Sequence, residues 1–297
     1  HILFPGGKAD TALELFWQVA RRETEEEIGI SSDNVVLRKD YGVNLEHINT
    51  LPCYLLRTFS AVKPCIGLMS FAKLGLEDEV TRSINMLLLL NPGESSSVFL
   101  CPLRDFLYPE CDDAPLESLD RLSYKVQWGK IPWNLRSYTF PQAIPNEAEW
   151  LRSIEKLSEL EDSSTESPDS NEESDEEVAR KQKQELRQSK KNKLSDWGRL
   201  GSRRDSETNE KIYDVWGLTA NILHDLADLV YRGPNQIKRE LGEEELIYLL
   251  WAEGGQMQGK QRSEEELELI KSTTKHEMGF DHVLPLAEFQ RLKKLYK

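Results

Sequence analysis

Glu23, Glu25, Glu26 and Glu27 crowd into five residues, and Gly29 follows just beyond them. In a helix, Glu23, Glu26 and Glu27 stand at i, i+3 and i+4 and share one face. A glycine in that place caps a helix, so the acids fall in its last turns. The dipole there is already negative, and each acid costs about 0.3–1 kcal/mol before mutual repulsion is added. Ordinary surface helices carry Lys or Arg at that end. A hard divalent cation such as Mg²⁺ would turn the repulsion into ligation by oxygen. Upstream, Gly6-Gly7 follows Phe4-Pro5. The pair permits a tight turn in which backbone approaches a ligand closely, or it is a plain turn.

The elements that must hold these residues follow from periodicity. Residues 12–28 read as a helix, with Ala12, Leu13, Phe16, Val19, Ala20 and Ile28 as its apolar stripe. Strand-like runs occupy Asn34–Leu37, Cys53–Ala61, Cys65–Phe71 and Ser97–Leu103, with a turn at Asn91-Pro92-Gly93. Helix and short strands in alternation indicate α/β or α+β layering.

The tract from Glu159 to Glu177 breaks this pattern. It holds ten acidic residues and no basic one, with Leu160 as its clear apolar residue. Seven basic residues follow between Arg180 and Lys193. Such a stretch buries too little apolar surface to offset its ordering entropy. Residues 160–209 are therefore expected to be disordered, with a frayed helix around Ala179–Gln188. The tract is a solvated linker or, with Ser163, Ser164, Ser170 and Ser174 among its acids, a phosphorylatable segment that docks a protein partner. Order returns at Lys211, where Ile212, Val215, Trp216, Thr219, Ile222, Leu223, Leu226 and Val230 recur at helical spacing. The tract is thus expected to interrupt one domain before its last core helix. Residues 236–252 and 263–272 read as two further helices forming a Glu-rich surface extension.

Composition narrows the function classes. With 297 residues, 38% hydrophobic content and a net charge of −14, the chain can bury a core but is a poor partner for nucleic acid. A polyanionic small substrate stays open, because a bound cation reverses the local sign. Cys53, Cys65, Cys101 and Cys111 form no C-x-x-C pair and no zinc spacing, so they read as reduced thiols of an intracellular protein. The longest apolar run, Met86 to Leu90, is strand-sized, and no stretch reaches a membrane span. A glycine turn stands within eight residues of His1, so a sheet lacking its first strand is expected.

The segment FPGGKADTALELFWQVARRETEEEIGI, Phe4 to Ile30, resembles the Nudix box G-x5-E-x7-R-E-U-x-E-E-x-G-U, where U is a bulky aliphatic residue. Glu14 is followed by seven residues and then by Arg22-Glu23, Glu26-Glu27, Gly29 and Ile30. Two departures stand out: six residues separate Gly7 from Glu14, and Thr24 takes an aliphatic position. The words FPGGKAD, LNPGESSSVF (Leu90–Phe99) and VWGLTANIL (Val215–Leu223) resemble the fungal peroxisomal coenzyme A diphosphatase branch of Nudix hydrolases.

The resemblance implies a Nudix α/β/α sandwich with a mixed sheet. It comprises residues 1–159 and 210–232, interrupted by 160–209 and followed by a helical extension over 233–297. It implies Mg²⁺ or Mn²⁺ held by Glu23, Glu26 and Glu27. Arg22 would orient Glu23 by a charge-assisted hydrogen bond. One of these three glutamates, Glu23 among them, or another glutamate from a loop would help deprotonate the attacking water. Glu94 either approaches the metal site or caps a turn. Gly6, Gly7 and Lys8 would meet the phosphates, unless Lys8 is merely solvated. The implied reaction cleaves coenzyme A or its derivatives to 3′,5′-ADP and 4′-phosphopantetheine, in the peroxisome by family and in the cytoplasm otherwise. Alternatives are another nucleoside diphosphate substrate (an oxidised dNTP, ADP-ribose or an mRNA cap) or an inactive scaffold acting as an interaction protein. No nucleic-acid or membrane partner is expected.

Overall fold

A computed structural model of the protein describes residues 2–71, 88, 90–91, 95, 97–141, 203–204, 211–253, 264–271 and 279–297. The glutamate-bearing helix, α1, spans Phe16–Ile28 and ends on Gly29, whose φ of 77° is the left-handed cap conformation. It starts four residues later than the periodicity indicates. Leu15 N–H donates to Gln18 Oε1 at 2.8 Å and fixes the first turn, while Leu13 and Phe16 are exposed. The face that packs inward carries Trp17, Arg21 and Ile28 instead. Trp17 stacks on His47 at 4.8 Å and lies over Gly67, where a Cβ would come within 2.9 Å of the indole.

Asn34–Leu37 belongs to a helix, not a strand. Asp33 accepts a hydrogen bond from Val35 N–H at 2.7 Å, Gly42 (φ 66°) closes the other end, and α2 spans Asn34–Tyr41. These caps outweigh the β-propensity of Val35-Val36. Leu37 is fully buried with Ile28, Ile30 and Val43.

β1 (Val43–Thr50) pairs antiparallel with β4 (Cys65–Phe71), from Val43↔Phe71 to Thr50↔Cys65. The expected strand over Cys53–Ala61 folds back on itself. It forms a small hairpin of β2 (Tyr54–Leu55) and β3 (Ala61–Val62) around Phe59, which takes φ 56°. Ser97–Leu103 forms no strand; a short 3-10 helix spans Leu103–Leu107.

The larger sheet runs in the order β5 (Asp120–Trp128), β6 (Ile131–Pro141), β8 (Lys211–Trp216) and β7 (Arg203–Arg204), with every pair antiparallel. β5 and β6 join through Gly129 (φ 58°) and Lys130 (φ 63°). Both left-handed conformations are what a type I′ turn requires. Lys211–Trp216, expected as the start of a helix, is strand β8. Gly217 (φ 67°) turns the corner into α3, Gly217–Tyr231. Arg203–Arg204 forms β7 against β8, so the end of the tract expected to be disordered is paired. The rest of that tract, with the Ala179–Gln188 segment and its serines, lies outside the described residues.

Among the described residues, the two largest of four apolar cores involve the larger sheet. One packs α3 and the 3-10 helix on the sheet, through Phe106, Tyr138, Phe140, Tyr213, Val215, Ala220 and Ala227. The other is built by the C-terminal helices α4 (Glu244–Ala252), α5 (Glu264–Lys271) and α6 (Leu286–Leu295). Leu246, Leu250, Leu269, Phe280 and Leu292 are fully buried against Leu55, Phe59, Trp128 and Ile131. This segment is therefore core, not a surface extension; Glu244, Glu245, Glu264 and Glu268 lie on the exposed faces of its helices. α4 begins at 244 rather than 236, because Pro234–Gln236 makes a separate 3-10 turn and Gly242 takes φ 67°. Among the described residues no helix is long and apolar enough to cross a membrane.

Candidate functional site

The last two turns of α1 form the candidate site, and Arg22 is its hub. Arg22 Nε donates to Glu14 Oε1 at 3.0 Å, and Nη1 donates to Glu23 Oε1 at 2.8 Å and to Glu26 Oε2 at 3.3 Å. Nη2 donates to the Lys8 carbonyl at 2.9 Å. One guanidinium thus gathers three acids and straps the glycine loop onto the helix. Glu27 fastens the same loop by accepting Gly6 N–H at 2.9 Å. A Cβ at Gly7 would meet the Glu23 carboxylate, so a side chain there would displace Glu23 from its present position. The loop glycines and the glutamate helix are therefore one unit.

The electrostatics follow from these bonds. Hydrogen bonding to Arg22, with a further bond from Asp10 N–H at 2.8 Å, holds the Glu14 carboxyl below its usual range. Bonds to Glu14 and Glu23 in turn push the Arg22 guanidinium up. Glu25 points elsewhere: it accepts Ser32 N–H at 3.0 Å, and its bonds to Ser32 lower its pKa.

The structure brings together Gly6, Gly7, Arg22, Glu23, Glu26 and Glu27. Lys8 contributes its carbonyl, while its side chain is exposed. Asn91 N–H donates to the Glu27 carbonyl at 3.0 Å, so the segment leading to Glu94 begins beside the helix end; Glu94 itself lies outside the described residues. Sequence reasoning passed over Glu14 and Asp10 as working residues. Asp10 Oδ2 lies 3.4 Å from Arg22 Nε; the signal was an acid pair set one loop away from an arginine in a helix.

Glu23, Glu26 and Glu27 offer hard oxygen donors, the chemistry that Mg²⁺ and Mn²⁺ favour. Here they are not gathered around a common point. Glu23 and Glu26 turn to Arg22 and Glu27 to the loop, and among the described residues no three His, Cys, Asp or Glu side chains are grouped to hold an ion.

Two buried polar clusters lie elsewhere. His224 is fully buried, with Nδ1 2.7 Å from the Phe106 carbonyl and Nε2 3.3 Å from Glu110 Oε2. Burial would raise the Glu110 pKa, but His224 and Arg136 outweigh it and hold the group at about 2. In the other, Arg239 bridges Asp225 at 2.8 Å and Asp228 at 3.0 Å, and Tyr54 Oη donates to Asp225 at 2.8 Å. Both clusters tie α3 to its neighbours.

No protein-family model matches the chain. It is 36% identical, over 298 residues covering 96% of this chain and 75% of the relative, to the "Peroxisomal coenzyme A diphosphatase 1, peroxisomal" of Saccharomyces cerevisiae. Identity at that level over that span shows common descent, and the chain belongs to the peroxisomal coenzyme A diphosphatase family.

Proposed function

We propose that the chain is a Nudix-type hydrolase with the α/β/α sandwich of that superfamily. It cleaves the diphosphate bond of coenzyme A or its derivatives to 3′,5′-ADP and 4′-phosphopantetheine. The observation that supports this most is the unit made by Arg22, which joins the glycine loop and three acids at one helix end.

Glu23, Glu26 and Glu27 would hold Mg²⁺ or Mn²⁺. When bound, the ion acidifies water and offsets charge developing on the phosphoryl oxygens. The chain's own residues do the rest. The Gly6-Gly7 backbone lets the diphosphate approach closely, since neither residue carries a side chain. Lys8 supplies a positive charge to the phosphates. Arg22 fixes the Glu23 rotamer through its 2.8 Å bond. Glu23 or Glu94 takes a proton from the attacking water. The new P–O bond forms on one phosphorus, and the bond to the bridging oxygen breaks. The name of the yeast relative also supports a peroxisomal location and a small-molecule substrate.

One observation favours a second reading, a catalytically silent interaction protein. The three presumed ligands are engaged within the protein and are not grouped. A substrate panel separates the readings: coenzyme A, ADP-ribose and 8-oxo-dGTP, each with Mg²⁺ and with Mn²⁺, with products resolved by chromatography. Coenzyme A should be cleaved fastest, and chelation should abolish the reaction. Faster cleavage of another substrate would move the specificity; no cleavage of any would favour the silent scaffold.

A further inference from the structure

β5 is the outer strand of the large sheet, nine residues long, and its far edge pairs with no strand among the described residues. The hairpin geometry says which backbone groups face that edge. Trp128 and Ile131 flank the two-residue turn and form its closing hydrogen-bonded pair. Even-numbered residues of β5 therefore bond to β6, and Arg121, Ser123, Lys125 and Gln127 point their N–H and C=O groups outward. Pro132, which has no N–H, sits opposite Gln127 and agrees with this phase. Arg121 N–H is taken by Asp120 Oδ1 at 2.8 Å. Lysines commonly shield open edges, but Lys125 is drawn to the Lys297 carbonyl at 3.1 Å. The even side chains add an apolar surface: Leu122 is 50% exposed and Tyr124 46%, and Trp216 of the same sheet is 45% exposed.

The geometry points to a second copy of this chain as the occupant, with β5 pairing antiparallel to β5 of the partner about a two-fold axis at Tyr124. This register alone pairs all nine residues of β5, and charge opposes its two nearest neighbours. A two-fold at Ser123 sets Arg121 against Lys125, and one at Lys125 sets two lysines against each other. The register at Tyr124 opposes no like charges. It places Leu122 against the partner's Val126, Tyr124 against the partner's Tyr124, and Ser123 against the partner's Lys125. These even-numbered pairs are non-hydrogen-bonded ones, whose side chains approach most closely. Ser123 and the partner's Lys125 exchange both backbone bonds, and Gln127 N–H reaches the partner's Arg121 carbonyl. Such an interface is isologous and closes on itself.

Sedimentation velocity on the whole chain tests this. The protein should run at twice its 34.3 kDa mass at high micromolar concentration. Ser123→Pro removes an outward N–H and spares the β5–β6 ladder; Tyr124→Glu opposes two charges at the axis. Each should shift the mass to a single chain with an unchanged melt. Tyr124→Cys provides an independent readout. Its Cα would lie about 4.5 Å from that of its counterpart, within disulfide reach. Under a mild oxidant it should form a linked dimer, and the native protein should not. A native protein that stays at single-chain mass would overturn the proposal, as would dimers that survive both edge variants, or Tyr124→Cys that links no better than the native chain.

Discussion

Arg22 does at residue scale what no single acid of α1 could: it turns a repulsive cluster into an ordered one. Its planar fork reaches Glu14, Glu23 and the Lys8 carbonyl at 3.0, 2.8 and 2.9 Å. Lysine offers a point charge without that fork. Arg22→Lys should therefore lower kcat for coenzyme A at least tenfold and leave the melt within a few degrees; turnover assays and circular dichroism on the same preparations would check both. That Glu23, Glu26 and Glu27 stand close together at the helix end was legible beforehand from their spacing, whereas Glu25 turns to Ser32. The parts played by Glu14 and Asp10 were not legible, since they depend on how the loop folds back over the helix. Glu26 carries the sharper prediction. It is half exposed, with one long bond to Arg22 at 3.3 Å. Glu26→Gln should thus leave the fold intact, and raise the metal-free melting temperature slightly by relieving repulsion.

Elements were legible where caps and periodicity agreed, as in the last turns of α1 and in β4, and were missed where they disagreed. Val35-Val36 read as strand because the Asp33 and Gly42 caps went unweighed. The β5–β6 hairpin escaped because its turn is Gly-Lys rather than Asn-Gly or Asp-Gly, with Lys130 itself at φ 63°. The spacing of Ile212, Val215 and Trp216 fits a helix or a strand, and Gly217 decides. The start of α4 shows a contact that no local pattern announces. Glu243 Oε2 accepts Leu55 N–H at 2.9 Å and Glu244 Oε1 accepts Cys53 N–H at 3.1 Å, so two glutamates cap the edge of β2. Burial, with Asp225 nearby, pushes the Glu243 carboxyl up to about 7, against the bond from Leu55. An acid whose folded pKa is raised contributes stability below its ordinary value near 4.5, and that contribution is lost as pH rises through about 7. The melting temperature should fall between those limits, and Glu243→Gln, which keeps an acceptor for Leu55, should flatten the decline. Thermal melts across that pH range check this; an equal slope in both proteins would show that Glu243 is ordinary.

The two largest cores meet through the β5–β6 hairpin, where Trp128 and Ile131, on either side of its turn, are buried among the C-terminal helices. Composition made a core legible, but not that the Glu-rich end of the chain supplies much of it. Leu250 is fully buried there, so Leu250→Ala should cost about 2–5 kcal/mol in a denaturant titration; a loss near zero would return that segment to the surface. The functional account asks one thing of the assembled protein, that the acid face of α1 drives cation-dependent cleavage of coenzyme A. The most direct measurement is the rate of 3′,5′-ADP release from coenzyme A at saturating Mg²⁺, for the native chain and for Glu26→Gln side by side. The account predicts steady turnover by the native chain and none by the variant, with superimposable melts. Equal rates from the two proteins, or no release from either, would contradict it.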